Sequence, residues 1–183
     1  MKNKLFPFET NEKEDIEITI RQAEVSDARA ILGLSRHLGQ ETDYLSFGSE
    51  GLLISLEEER NLIARYQKSA TSIILLAETD GQIIGLASVK VLDQNKQAHV
   101  AEIGVSLIKE YWGYGIGSMM LEAQIEFAQA VGITVLTLEV VVNNQRAIKL
   151  YERNHFKIVG KLSKRLKSDF RYYDTLIMER ILS

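Results

Sequence analysis

Alternating and continuous runs of apolar residues mark the strands of this chain. Apolar and polar residues alternate over Ile16–Gln22, which is the period of a strand with one buried face. Two apolar runs joined by Asp80-Gly81 indicate a β-hairpin, because this dipeptide favours the tight turn between paired strands. The whole pattern predicts seven strands, at 16–22, 71–79, 81–92, 98–107, 134–142, 156–162 and 171–182.

Apolar residues at helical spacing predict four helices between these strands. They cover 26–38, 55–67, a segment ending near Val131, and 144–154. Ser26 and Asp27 are candidate caps of the first helix. The order of elements predicts a mixed α/β (α+β) fold in which a meander leads into a β-loop-helix-β unit. It lacks the regular βαβ alternation of a doubly wound fold.

Length and composition predict one domain and narrow its chemistry. Residues 1–15 are charged and contain the only proline, so we predict a flexible leader there and a single domain over 16–183. The absence of cysteine excludes thiolate nucleophiles and cysteine metal sites, and it fits a reducing cytoplasm. The three histidines, His37, His99 and His155, have no partners at metal-ligand spacing, so we predict no metal site.

Net charge and the length of the apolar runs argue against nucleic acid and membranes as partners. The net charge is -3, and the basic run Lys157–Lys167 is predicted to lie along a solvated strand edge, so nucleic acid is not the expected partner. No apolar run has the length of a signal-peptide core or of a membrane span. We expect a cytoplasmic protein without membrane partners, and a homodimer stays open.

Three glycines at alternate positions, Gly113, Gly115 and Gly117, lead into the third predicted helix. A dinucleotide fingerprint would need G-x-G-x-x-G, and a Walker A loop would end in G-K-[ST]; neither spacing is present. Two interpretations remain. The loop could offer bare backbone N–H groups to a phosphate at a helix N-terminus, or it could be a tight turn that uses glycine only for positive φ.

The residues around this loop resemble the GNAT superfamily of acyl-CoA-dependent N-acetyltransferases, bacterial type. The family signature Q/R-x-x-G-x-G/A falls on 112–117, with Trp112 where Gln or Arg is usual. A second family feature, N-x-x-A-x-x-x-Y followed by GF, falls on Asn144, Ala147 and Tyr151, followed by His155-Phe156. His155 replaces a glycine, so we expect Asn154 to take the left-handed turn that ends the helix.

The resemblance implies a fold, a co-substrate and a set of binding residues. The expected fold is a central, mixed but mostly antiparallel sheet with helices on both faces and a splay between the fourth and fifth strands, with Gly104 as the place for a bulge. The co-substrate is acetyl-CoA, without a metal. Its pyrophosphate would lie on the loop amides, and its pantetheine arm on the end of the fourth strand and on the last helix. The implied binding residues are Val105, Ser106, Leu107, Trp112, Gly113, Tyr114, Gly115, Ile116, Gly117, Ser118, Asn144 and Ala147.

Acyl transfer to an amine needs a base for the amine and an acid for the departing thiolate. A lysine-like amine with a pKa near 10.4 loses about 4–5 kcal/mol to deprotonation at pH 7. Glu102 is the candidate base, because an acid within an apolar strand is costly to bury and its pKa should rise. The alternative is a structural acid bonded to backbone or arginine, and Glu139 is the second candidate for the same reasons.

Tyr151 is the candidate acid. Asn144, Ala147, Ile148 and Tyr151 share one helix face, and the family uses this tyrosine to protonate the coenzyme thiolate. The alternative makes Asn144 a helix cap and Tyr151 a core aromatic.

These residues predict direct transfer from acetyl-CoA to a primary amine in a ternary complex, since no cysteine can carry the acyl group. The alternative is a non-catalytic acyl-CoA-binding sensor or scaffold. The acidic residues Glu41, Asp43 and Glu50 could attract a cationic amine, although a solvated loop has the same composition. The acceptor could be a small amine, an amino acid or a protein amino group.

Overall fold

The computed structural model describes residues 4–8, 16–92 and 94–182, with side chains from Ile16 onward; residues 1–3, 9–15, 93 and 183 lie outside the described part. The strands are β1 (Lys4–Phe8), β2 (Ile16–Gln22), β3 (Ile73–Thr79), β4 (Gln82–Val91), β5 (Val100–Leu107), β6 (Val135–Val141), β7 (Lys157–Ser168) and β8 (Arg171–Ile181). The helices are α1 (Ala28–Glu41), α2 (Leu56–Lys68), α3 (Ile116–Ala130) and α4 (Gln145–Arg153).

The described strands form one sheet in the order β1-β2-β3-β4-β5-β6-β8-β7. Every neighbouring pair is antiparallel except β5 and β6, which are parallel. The mixed, mostly antiparallel sheet that the sequence predicts is therefore confirmed. Strand β1 lies inside the predicted leader and pairs with β2, so these five residues extend the sheet. The domain boundary at residue 16 stays a prediction.

Alternation along β3 shows which helices cover which face of the sheet. Ile74 and Leu76 pack in one cluster with Ile63 of α2 and with residues of α1. Leu75 points to the opposite side and belongs to the cluster that contains Met120 of α3. Helices therefore cover both faces, as predicted, and we call the side that carries Ile74 and Leu76 the α1/α2 face.

Local signals explain most element boundaries. Asp80 and Gly81 both have positive φ, 49° and 74°, as the tight hairpin turn requires. Ser55 accepts a hydrogen bond from the N–H of Glu58 while the Glu58 carboxylate accepts one from the N–H of Ser55, so α2 starts with a capping box. Asp27 occupies the N-cap position of α1 but makes no side-chain cap there, because its carboxylate binds Arg21.

Two local predictions are wrong. His155, not Asn154, takes the left-handed conformation, with φ of 64°. The N–H of Phe156 donates to the carbonyl of Tyr151 and that of His155 to Glu152, a Schellman ending whose left-handed residue must be the second after Arg153. Gly104 forms no bulge either, since β4 and β5 pair in continuous register from Gly85–Leu107 to Val91–Ala101.

Strand β7 is longer than its apolar pattern predicts, and it lies at the edge of the sheet. The basic run Lys157–Lys167 follows this edge and is largely exposed, as expected of charged residues that protect an edge strand. The pairing with β8 is irregular between Leu162 and Leu166, where Lys164 has a φ of 52°. This bulge redirects the side chains that follow it.

Candidate active site

The site begins where β5 and β6 separate. They pair over only three positions, from Val100–Val135 to Glu102–Thr137. β5 continues to Leu107 and β6 to Val141 without further pairing between them. The predicted splay is thus present, and beyond Glu102 alternate backbone groups of β5 face a gap instead of a strand.

The glycine loop lies at the end of β5, at the mouth of this gap. Gly113 and Gly115 have φ of 96° and 78°, and Gly115 is the N-cap of α3. The first helical hydrogen bonds run from the N–H groups of Ser118 and Met119 to the carbonyl of Gly115. The N–H groups of the first turn before Ser118 therefore have no intrahelical acceptor, and the helix dipole adds positive potential. A diphosphate fits a loop of this chemistry.

The third glycine has a different role. Gly117 lies in the first turn of α3 without positive φ, and a Cβ placed there would stand 3.5 Å from Leu150 of α4. This is an ordinary van der Waals contact, so a methyl group would fit there. Glycine thus supplies backbone conformation at Gly113 and Gly115, whereas Gly117 is a contact point of α3 with α4.

Trp112 ties the loop to β5, and a cation from α4 lies above it. The indole N–H of Trp112 donates to the carbonyl of Leu107 at 2.8 Å. The Arg146 guanidinium lies 5.2 Å from the ring centroid, within cation–π range, and a Cβ on Gly113 would stand 3.7 Å from its Nη2. Arg146 therefore brings a fixed positive charge to the candidate phosphate site. No pattern in the sequence marks Arg146; only the packing of α4 against the loop does.

On α4, the structure shows Asn144 as a helix cap and Tyr151 as a core aromatic, which are the structural alternatives to their predicted roles. Asn144 is the N-cap, and its Oδ1 accepts a hydrogen bond from the N–H of Ala147 at 3.2 Å. Tyr151 is 6% exposed and packs on Phe156 with ring centroids 5.8 Å apart. The contact with Phe156 does not use the Tyr151 hydroxyl, and this hydroxyl makes no hydrogen bond within the described part of the chain. Burial raises the pKa of Tyr151 to about 12, so the phenol keeps its proton at neutral pH.

Glu102 lies at the point where the strands diverge, but its surroundings differ from the expected ones. Lys90 and Thr137 are its neighbours on the two adjacent strands, and all three side chains lie on the α1/α2 face. The Glu102 side chain is exposed, so its predicted burial is wrong. The reason is that α1 and α2 cover β3 and β4 but leave the Glu102 and Gly104 positions of β5 open. The carboxylate makes no hydrogen bond or ion pair with any described residue.

Glu139, the second candidate base, already has two partners. Its Oε1 accepts hydrogen bonds from the Thr175 hydroxyl at 2.7 Å and from Arg165 Nε at 3.1 Å. Thr175 is 1% exposed, so its hydroxyl is a fixed anchor. Glu139 thus belongs to a network across β6, β8 and β7, whereas Glu102 is the unpartnered carboxylate beside the gap.

A short segment at the end of α1, residues 41–43, crosses the mouth of the gap on the α1/α2 face; we call it the strap. Glu41 Oε2 accepts a hydrogen bond from the N–H of Lys109, just after β5, at 2.8 Å. Two residues later, Asp43 accepts hydrogen bonds from the hydroxyls of Ser168 and Tyr173, at 2.7 and 3.1 Å, on the β7–β8 hairpin. The strap is therefore anchored on both sides of the gap.

These contacts change the interpretation of the acidic loop. Glu41 also lies 3.2 Å from His37 Nε2, and Glu50 accepts a hydrogen bond from the N–H of Gly48 at 3.2 Å. The three acidic residues that could attract a cationic amine are all engaged in holding local structure. The strap is better described as a wall at the mouth of the gap than as a cation site.

A buried amide braces the floor of the site, and the sequence analysis did not identify it. Gln124 of α3 is fully buried, and its Nε2 donates to the carbonyls of Ser88 and Gly104 at 2.7 and 3.0 Å. These two residues oppose each other on β4 and β5 with their side chains on the α1/α2 face. The amide therefore fills the space on the opposite side and holds the strand pair flat at Gly104.

A separate cleft of about 600 Å³ lies between α1 and the β3–β4 turn. Its charged residues bind one another: Arg21 contacts Asp27 at 2.7 Å and Glu78 at 2.8 Å. The hydrogen bond from Arg21 lowers the pKa of Asp27, as expected of a satisfied ion pair. This cluster stabilises the junction of β2, β3 and α1 and offers no unpaired charge to a ligand.

Two further observations concern partners. Within residues 16–92 and 94–182, no group of three His, Asp or Glu side chains is arranged to hold a metal ion. None of the helices in the described part of the chain combines the length and apolar character needed to cross a membrane.

Comparisons with known proteins agree with this geometry. The chain is 28% identical over 108 residues to the L-amino acid N-acetyltransferase AaaT of Escherichia coli (strain K12), a match that covers 58% of this chain and 67% of that protein. A crystal structure of an acetyltransferase of GNAT family from Streptococcus pneumoniae is 30% identical, with a TM-score of 0.86 over 90% of this chain and 99% of that one. The structure of yncA from Salmonella typhimurium, solved with its cofactor acetyl-CoA, shares the fold at 20% identity, with a TM-score of 0.80 over 91% of this chain and 94% of that one.

The family profile described as Acetyltransferase (GNAT) family matches residues 41–156. This range contains the strap, the gap, the glycine loop, α3 and α4. The match covers more than half of the chain, and only the β7–β8 hairpin of the candidate site lies outside it. The chain belongs to the GNAT family of acetyltransferases.

Proposed function

We propose that this protein is an N-acetyltransferase that moves an acetyl group from acetyl-CoA directly to a primary amine in a ternary complex. The proposal rests on two features that lie together. The N–H groups at the start of α3 are unbonded, and the edge of β5 has no strand partner beyond Glu102. The first suits a diphosphate and the second an extended amide arm, which would pair with β5 much as an added strand does.

In this proposal each element has one task. Trp112 to Ser118 and Arg146 hold the diphosphate, while Val105 and Leu107 face the pantetheine arm with backbone groups; the Ser106 backbone pairs with Leu86 of β4 instead. Asn144 has a free Nδ2 for the same arm, because only its Oδ1 is used by the cap. Ala147 keeps that side of α4 small. The bound thioester supplies an activated acetyl group.

The two titratable residues divide the proton transfers. Glu102, exposed and unpartnered beside the gap, accepts a proton from the incoming ammonium, directly or through water. Tyr151, whose pKa burial raises to about 12, remains protonated at neutral pH and donates to the departing sulfur. Glu102 thus lowers the cost of deprotonating the amine at pH 7, and Tyr151 lowers the cost of thiolate departure.

The acceptor class in this proposal is a primary amine: a small amine, an amino acid or a protein amino group. The similarity to an L-amino acid N-acetyltransferase supports a small acceptor. The cytoplasmic location expected from a cysteine-free sequence belongs to the same proposal.

Calorimetric titration with acetyl-CoA, with NAD and ATP as controls, tests the binding half of the proposal. Saturable binding of acetyl-CoA alone is expected. A thiol-release assay over a panel of amines then tests transfer. A folded protein that binds acetyl-CoA but acetylates no amine would be a sensor or scaffold, and one that does not bind it would refute the proposal.

A further inference from the structure

We propose that Arg165 recognises a carboxylate on the acceptor, so that the acceptor is a free α-amino acid or another small amine that carries a carboxylate. This inference rests on the proposed function and specifies its substrate class. Three observations support it: the β7 bulge that directs this arginine, the hydrogen bonds from its Nε to Glu139, and the absence of hydrogen bonds from its Nη1 and Nη2 to the described residues.

The bulge in β7 aims Arg165 across the sheet. Three residues, 163–165, oppose the single residue Asp174 between the Leu162–Thr175 and Leu166–Tyr173 pairs. Asp174 stabilises this irregular segment, since its Oδ1 accepts a hydrogen bond from the N–H of Lys164 at 2.8 Å and its Oδ2 pairs with Lys161 at 2.8 Å. A non-glycine residue at φ of 52° is uncommon, and bulges beside active sites commonly redirect a side chain. Here the redirected side chain passes over β8 and reaches β6.

The guanidinium is fixed at one nitrogen and open at the other two. Arg165 Nε donates to both Glu139 oxygens, at 3.1 and 3.4 Å, and Glu139 is held in turn by the buried Thr175 hydroxyl. Neither Nη1 nor Nη2 makes a hydrogen bond within the described part of the chain. Two parallel N–H groups of this kind form the fork that binds a carboxylate through two hydrogen bonds. A guanidinium already oriented by Glu139 loses less freedom when it binds.

The position of this fork suits an amino acid. Glu102 is opposite Thr137, and Glu139 is the next residue of β6 on the same α1/α2 face. The Arg165 guanidinium lies beside the Glu139 carboxylate, so the fork and Glu102 lie on the same face, at neighbouring strands on the two sides of the gap. Glu102 would then face the ammonium while Arg165 holds the carboxylate.

The test compares L-amino acids with their own carboxamides at saturating acetyl-CoA, for the natural protein and for R165Q, R165K and K167Q. Lys167 is the matched control because it is an exposed cation on the same strand, lies 5.7 Å from the Tyr172 ring centroid and has no ion pair in the described part of the chain. We expect kcat/KM to be at least about tenfold higher for the acids than for the amides. Since a carboxamide has the less basic amine, amine basicity alone would favour the amides.

R165Q should lower kcat/KM for the acids by about 10- to 100-fold, mainly through KM, and leave the amides within about twofold. R165K, which keeps the charge but loses the fork, should fall between the two. K167Q should change neither series. The inference is overturned if the natural protein shows no preference for acids, if R165Q affects both series alike, or if K167Q has the same effect as R165Q. If the protein acetylates no amine of either series, the proposed function fails as well.

Discussion

The substitution Gly113→Ala tests whether the glycine loop holds the coenzyme. Gly113 has a φ of 96°, and a Cβ added there would stand 3.7 Å from Arg146 Nη2, which is an ordinary van der Waals contact. The methyl group therefore fits, and its cost is torsional. A residue with a Cβ in the left-handed region costs roughly 1–2 kcal/mol.

That cost affects stability and binding in different ways. For a chain of this length, 1 kcal/mol lowers Tm by about 2–4 °C. Only the strain that the free variant retains lowers Tm in this way. Strain that it relieves by letting the loop move must instead be restored on binding. Restoring 1–2 kcal/mol weakens binding by roughly 5- to 30-fold. Acetyl-CoA affinity measured by calorimetry should fall within this range.

Gly132→Ala is the matched control. Gly132 has a φ of 81° after the end of α3, and a Cβ there would meet nothing within 4 Å. It should lower Tm by a similar amount because the torsional cost is similar, yet leave acetyl-CoA affinity unchanged. If G113A loses less stability than G132A, which shows that its free loop has relaxed, and still binds acetyl-CoA as tightly, the loop is only a turn and does not hold the coenzyme.

Three further predictions concern titratable residues. Y151F should lower turnover by about 10²- to 10⁴-fold while acetyl-CoA affinity changes little, and unchanged turnover would remove Tyr151 as the acid. Because folding favours the neutral phenol, the natural protein should lose stability as pH rises from 10.0 to about 12, and Y151F should not show this loss. Glu59 is 2% exposed with an unpartnered Oε2, and burial raises its pKa, so the natural protein should lose stability as pH rises above the ordinary value of 4.5. E59Q should therefore be more stable by about 1 kcal/mol at pH 7 but not at pH 4 in denaturant unfolding, and an equal difference at both pH values would contradict this. E102Q should lower kcat without changing Tm, since the carboxylate is exposed and unpaired; an unchanged rate would direct attention to water or Glu139.

Sequence periodicity located nearly every element of the core. Strand β2 has the predicted bounds, and the two strands around Asp80-Gly81 agree with prediction to within two residues. This succeeds because burial of one strand face imposes a period of two and burial of one helix stripe a period near 3.6. The apolar pattern of β7 ends at Leu162, although the strand runs to Ser168. An exposed edge strand has little apolar surface to bury, so its length leaves little trace in the pattern.

In the candidate site, too, spacing identified the features that are local in the chain and missed those that depend on distant elements. Spacing alone identified the glycine loop and the shared face of Asn144 and Tyr151, because consecutive backbone N–H groups and helical neighbours are local in the chain. Spacing could not show that Glu102 is exposed, since its exposure depends on where α1 and α2 end on the sheet. It also could not show that Asp43 is bonded to Ser168 and Tyr173, which lie 125 and 130 residues away in the chain.

The sequence by itself therefore determined the class of fold, the position of the glycine loop before α3 and the candidate residues for proton transfer. Only the tertiary structure decided which carboxylates are engaged and which is open. It brought Arg146 to the loop and turned Arg165 from an exposed edge toward the gap. The physical reason is that backbone conformation and periodic burial are encoded by neighbours in the chain. The partner of a charged side chain, by contrast, is set by whichever strand or helix the fold places beside it.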